Sequence, residues 1–225
     1  MSCLRIRVAA LIALSAVATA CGDRENPFAS FETRCAKLPP THFEVVAVPL
    51  TFERDDSQSI AALTAKSRST LATHRTFGLT TAVFQQNTDI RLNVVDDRGG
   101  SRACGTPRVR IELSMQPVTV YVASEVAGQP CEHEVMLSHE MKHVEVFREA
   151  LQLAARDLAR DFPDAIGVQL RQARNPDELQ QRFVVAVRNY LGQFMRDRER
   201  MLDESQAAVD SPEEYARVST ACAQS

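Results

Sequence analysis

Hydrophobic positions alternate with polar ones through the first half of the chain and recur at helical spacing through the second. Phe43 to Phe52 is β-branched and alternating, the pattern of a strand. Ser57 to Thr73, rich in Ala, Leu, Lys and Ser, predicts a helix capped by Asp55, Asp56 or Ser57. Thr81 to Val95 predicts one strand or a pair, and Gly99-Gly100 sets a turn within Asp96 to Gly105. Arg108 to Leu113 and Val118 to Val122 read as neighbouring strands around Met115 to Pro117. Gly128-Gln129-Pro130 closes the strand region, because proline cannot continue a central strand. A helix over Glu132 to Arg156 follows, then a loop near Pro163 and a short helix at Ala165 to Ala173. A long helix runs from Pro176 to Val209, and a last one begins at Ser211-Pro212-Glu213-Glu214 with Ser211 as cap. Strands first and helices later define an α+β class: a mixed or antiparallel N-terminal sheet with one helix, then two long helices.

Wound as a helix, Glu132 to Arg156 separates into two arcs. Val135, Met136, Val144, Val146, Phe147, Ala150, Leu151 and Ala154 share one; Glu134, Ser138, Lys142, Glu145, Glu149, Gln152 and Arg156 share the other. His139 and His143 sit in the middle of the apolar arc, and Glu140 lies within it. Two histidines and a glutamate on a buried face need partners, because unpaired buried polar groups are costly. A metal ion with its water is one such partner; a hydrogen-bonded histidine pair with a salt-bridged glutamate is the other.

His139-Glu140-Met141-Lys142-His143 reads H-E-x-x-H. Residues four apart stack on one helix face, so both imidazoles reach one ion and Glu140 can take a proton from the water it holds. With the strand-like run Val118 to Ala123 before it, the stretch from Val118 to Phe147 resembles the zincin metallopeptidases. Leu137 and Val144 fit that pattern; Lys142 fills a slot that is ordinarily uncharged and points to solvent on the wheel. The group it most resembles is the predicted secreted bacterial zinc-dependent proteases, a likeness that also touches Leu202 to Tyr215. The resemblance implies Zn2+, Glu140 as general base, and an edge strand near Tyr121 that holds an extended peptide or protein substrate.

It also implies a third ligand, which in gluzincins is a glutamate on a later helix. The long helix offers Asp197, Glu199, Asp203 and Glu204. Glu204 and Asp197 lie at the margin of its apolar arc while Asp203 and Glu199 point away, so Glu204 is the expected ligand. Arg198 and Ser205 fall at the centre of that arc. His133, at the start of the site helix, is the reserve ligand; His42 and His74 have no ligand spacing around them.

The front of the chain places this chemistry outside the cytoplasm. Arg5 and Arg7, the apolar run Val8 to Val17 and the small residues Ala18-Thr19-Ala20 form a signal peptide over residues 1–20. Cys21 directly after it resembles the lipid-bearing cysteine of a bacterial lipoprotein; plain cleavage after Ala20 gives a soluble periplasmic or secreted protein instead. Residues 21–30 read as a tether and 31–225 as one domain. With Cys3 removed and Cys21 assigned to lipid, Cys35, Cys104, Cys131 and Cys222 remain of six cysteines, enough for two disulfides with three possible pairings. Cys104–Cys131 with Cys35–Cys222 is favoured, because Cys104 and Cys131 flank one strand pair.

A net charge of −3 and the absence of tryptophan leave no footprint for nucleic acid. Three functions remain: an exported zinc metallopeptidase, a zinc-dependent hydrolase or amidase of cell-wall peptide, and a non-catalytic envelope lipoprotein with a structural metal or histidine pair.

Overall fold

The computed structural model describes residues 29–67, 75–97, 99–167 and 171–223; the expected signal segment, Cys21 and His74 lie outside them. In chain order the elements are α1 (Phe31–Ala36), β1 (His42–Ala47), β2 (Glu53–Asp55), α2 (Ile60–Lys66), β3 (Gly78–Thr81), β4 (Phe84–Asp96), β5 (Ala103–Met115), β6 (Thr119–Val122), α3 (Ser124–Ala127), α4 (Pro130–Ile166), β7 (Arg171–Ala173), α5 (Pro176–Val209) and α6 (Pro212–Thr220). The class is α+β, with both long helices after the main strands.

The strands form two sheets. One has the order β1-β5-β4, with β7 pairing the start of β5; the other has the order β2-β6-β3. β5 and β6, expected as neighbours, therefore belong to different sheets. β4 and β5 are antiparallel, and β1 joins β5 in parallel. From Arg108 to Met115 β5 alternates: Val109, Ile111, Leu113 and Met115 are buried, whereas Arg108 and Arg110 are exposed. One sheet face is therefore core and the other is wet. Arg110 spans that wet face to Glu44 at 3.0 Å and Glu112 at 2.9 Å.

The core face carries α4 and α5. Val144, Phe147, Leu151, Ala154, Leu158, Phe162 and Ile166 of α4 are buried with Phe183, Val187, Leu191, Phe194 and Leu202 of α5. The three- and four-residue spacing on both helices is that of a packed seam. This stripe also explains why α4 does not stop before Pro163, as the sequence suggested. Leu158, Phe162 and Ile166 continue the buried row, so packing outweighs one missing backbone donor. Gly167, at φ +84°, ends the helix, and its N–H bonds the Pro163 carbonyl at 2.9 Å. Residues 171–173, expected to be helical, form β7 instead. Pro176–Val209 and the Ser211 cap of α6 match the sequence expectation.

The disulfides are Cys35–Cys104 and Cys131–Cys222, not the favoured pairing. The reason is helix length. β7, just after α4, brings Gln172 beside Cys104. α4 has 37 residues and is roughly 55 Å long at ~1.5 Å per residue, so its first turn, with Cys131, lies at the opposite end of the sheet. A disulfide needs Cα atoms within about 7 Å. Cys104 instead packs with Phe31 and Cys35 of α1, and Cys131 reaches the segment after α6.

Candidate metal centre

His139 and His143 lie one turn apart on the buried face of α4, as the apolar arc predicted. Their rings stand 85° to each other with centroids 5.1 Å apart. Asp210, the residue that ends α5, meets both: its Oδ1 is 3.2 Å from Nε2 of His139 and 3.3 Å from Nε2 of His143. Among the described residues, His139, His143 and Asp210 are the group whose ligand atoms converge closely enough to hold a metal ion.

The other ring nitrogens show what that convergence requires. Nδ1 of His139 lies 3.1 Å from Oε1 of Glu214, and Nδ1 of His143 lies 2.5 Å from Oε1 of Gln206. Gln206 also donates from Nε2 to the His143 carbonyl at 3.2 Å, which fixes the end of its amide that faces the ring. Carboxylate and amide oxygens only accept, so each Nδ1 carries a hydrogen and each neutral imidazole has its lone pair on Nε2. Both lone pairs then face Asp210 Oδ1, which is also an acceptor. Three acceptors at this spacing repel unless positive charge sits among them, either protons or a cation. Proton uptake is favoured accordingly: the Asp210 bond, assisted by Glu214, raises the His139 pKa. Burial opposes the same shift at His143, but Asp210 and Gln206 outweigh it. Asp210 is held well below the usual carboxylate range because both histidines outweigh its burial. Two neutral imidazoles and a carboxylate are also the donor set of a catalytic zinc site, with oriented outer partners already in place. The residues fit the ion.

Glu140 lines the same cleft, with its carboxylate against β3. It is 3 % exposed, and burial raises its pKa while a hydrogen bond from Thr80 opposes the rise. Glu214 is fixed by Arg217 at 2.6 Å and Lys142 at 2.7 Å, and these two cations hold its carboxyl well below the usual range. Lys142, which the wheel placed in solvent, thus supports His139 through Glu214.

Other expected residues fall elsewhere. Glu204 is exposed on α5 and takes no part in the cluster. The inward row of that helix is Leu202, Gln206, Asp210, at four-residue steps, and Glu204 lies two residues off it. That spacing was visible in the sequence, but Asp210 stood beyond the expected helix end. Arg198 pairs with Asp157 at 2.8 Å, serving the helix–helix seam. His133 bonds Asp56 at 3.1 Å, and His42 is exposed on β1. β6 is not an edge strand: it lies between β2 and β3, and Val120, Tyr121 and Val122 are all buried. A β-branched run cannot by itself distinguish a central strand from an edge. The strand that borders the site is β3, which pairs with β6 alone among the described residues.

A cleft of about 1120 Å³ opens over His139, Glu140 and His143. Arg75 to Thr80 form one wall, Val135 and Met136 of α4 the floor, and Tyr215, Ala216, Val218 and Ser219 of α6 part of the other wall. α6 contributes no buried residue; Cys131–Cys222, the Glu214 contacts and the ring contact of Tyr215 with His139 hold it there. Replacing Cys131 and Cys222 by Ser is therefore expected to lower metal affinity by about 10–100-fold, the usual cost of losing an outer-shell partner. Chelator competition measures this; equal affinity in the variant and the parent would separate α6 from the metal centre.

No family model, curated protein or solved structure matches the chain.

Proposed function

We propose that the protein is a zinc-dependent peptidase of the bacterial envelope. One observation carries the reading: His139, His143 and Asp210 aim three acceptor atoms at a single point, beside a buried glutamate that is not part of that group. These three residues would hold zinc, which supplies a Lewis acid and lowers the pKa of water in its shell to about 7. Glu140 removes a proton from the attacking water and returns it to the departing amine. Burial favours that role by making its carboxylate a stronger base than an exposed one. The edge of β3 that no strand pairs among the described residues, at the cleft wall, offers backbone donors and acceptors to an extended peptide by strand addition. The likeness of residues 118–147 to the zincins supports the same class.

Two disulfides are compatible with an exported protein, and no helix among the described residues is long and apolar enough to cross a membrane. With the signal segment and Cys21, they support a lipid-anchored protein facing the periplasm or exterior.

The test is elemental analysis of the purified protein beside a peptide-library digest, on the parent and on His139→Ala. About one zinc per chain with cleavage in the parent, and neither in the variant, is the expected result. Zinc without cleavage of any peptide would leave a structural metal. Release of cell-wall fragments alone would move the substrate to peptidoglycan. Equal zinc in parent and variant would sink the metal site.

A further inference from the structure

We propose that Thr80 and Gly78 of β3 are positioning residues that dedicate one oxygen of Glu140 to proton transfer; the proposal rests on the hydrolytic reading above. The two residues are alternate positions of one strand, so both face α4. The Thr80 hydroxyl donates to Oε2 of Glu140 at 2.8 Å and lies 3.2 Å from the Glu140 carbonyl. The other oxygen rests over Gly78. A Cβ at that residue would stand 2.4 Å from Oε1 and 2.9 Å from Cδ and Cγ, closer than real contacts allow. Among the described residues no hydrogen bond reaches Oε1. The carboxylate therefore has one oxygen held by a donor and one, over Gly78, that no donor among the described residues holds.

This division has a chemical consequence. A buried carboxylate with no directional partner rotates about its terminal torsion, which is broad and roughly two-fold. Donation by Thr80 selects one orientation and occupies Oε2. Oε1 is then the atom to which the proton goes: one O–H bond of water breaks as Oε1–H forms and the water oxygen bonds to the carbonyl carbon of the peptide. The same proton then leaves Oε1 for the amide nitrogen as the C–N bond breaks. Gly78 permits the orientation by leaving the space that any side chain would fill. Neither residue touches the metal-ligand group, so both can be altered without removing a ligand.

Thr80→Val, Thr80→Ser and Gly78→Ala test the assignment. Thr80→Val keeps the shape and removes the donor. It is expected to lower kcat by about a hundredfold, the cost of a slightly misplaced reacting group, with KM and zinc content at parental values. Thr80→Ser restores most of the loss, and Gly78→Ala lowers kcat as Thr80→Val does. A readout independent of turnover is a double-mutant cycle in urea unfolding of the metal-free protein. Thr80→Val should destabilise the parent more than it destabilises a Glu140→Ala background. If Gly78→Ala does not fold, the two Thr80 variants and the cycle still decide. Parental kcat in Thr80→Val, loss in Thr80→Ser as deep as in Thr80→Val, or an additive cycle would each overturn the proposal while leaving the peptidase reading in place. A parent that cleaves no peptide would overturn both together.

Discussion

Asp210→Ala is expected to strip the metal from the protein, whereas Glu204→Ala leaves it in place. Asp210 supplies the only carboxylate oxygen in the convergent group, at 3.2 and 3.3 Å from the two imidazole nitrogens. Without it, two neutral nitrogens remain, with no negative charge to balance a divalent ion. The loss in affinity should exceed the roughly 10–100-fold that removal of an outer-shell partner costs. Asp210→Asn sharpens the comparison, since it keeps the shape and one oxygen but not the charge; it should retain more metal than Asp210→Ala and less than the parent. Glu204 is exposed on the far side of the inward row, so its removal changes nothing at the centre. Zinc per chain after dialysis against a graded chelator distinguishes the variants. Parental affinity in Asp210→Ala would mean that another residue completes the site.

Glu140→Gln is expected to keep the metal and lose hydrolysis. The amide is nearly isosteric, can still accept the Thr80 hydroxyl, and fits over Gly78, so the local packing is preserved. What it cannot do is take a proton. Loss of a positioned general base costs roughly 10²–10⁴ in rate, or about 3–5 kcal/mol in the barrier. Zinc content should equal that of the parent, because Glu140 is outside the ligand group. A second consequence concerns stability. Burial raises the Glu140 pKa, so its folded form binds a proton more readily than its unfolded form. Such a carboxyl costs stability once the pH rises above its ordinary range, and the cost fades as the pH falls below that range. Metal-free Glu140→Gln should therefore be at least as stable as the parent at neutral pH, with the advantage disappearing in acid. Peptide turnover at the parental rate would show that Glu140 is not the base.

How far the site could be read from the sequence depends on the range of the interactions. The pair His139 and His143, with Glu140 beside them, was legible because helical spacing alone puts i and i+4 on one face. The neighbouring valines, leucines and phenylalanine then say which face is buried. Gly78 and Thr80 carry no such local signal, because their contacts with Glu140 form only when β3 is laid against α4, about 60 residues further along the chain. Lys142 looked like a departure from the zincin pattern, yet α6 turns it into a support for Glu214.

The features legible without the fold are local: the periodicity of the long helices, the proline and serine caps at Pro176 and Ser211, the apolar arc with its histidines, and the presence of four cysteines able to bridge. Each follows from spacing along one element or from composition. Which elements meet depends on how the whole chain packs. The length of α4 carried Cys131 away from Cys104 and toward Cys222. The pairing of β6 on both sides made it central and left β3 at the cleft. The packing of the Leu202, Gln206 and Asp210 row against α4 set Asp210, and not Glu204, beside the imidazoles. Contacts of this kind depend on the sum of many helix and strand lengths and on packing across the core, and no window of sequence contains that sum.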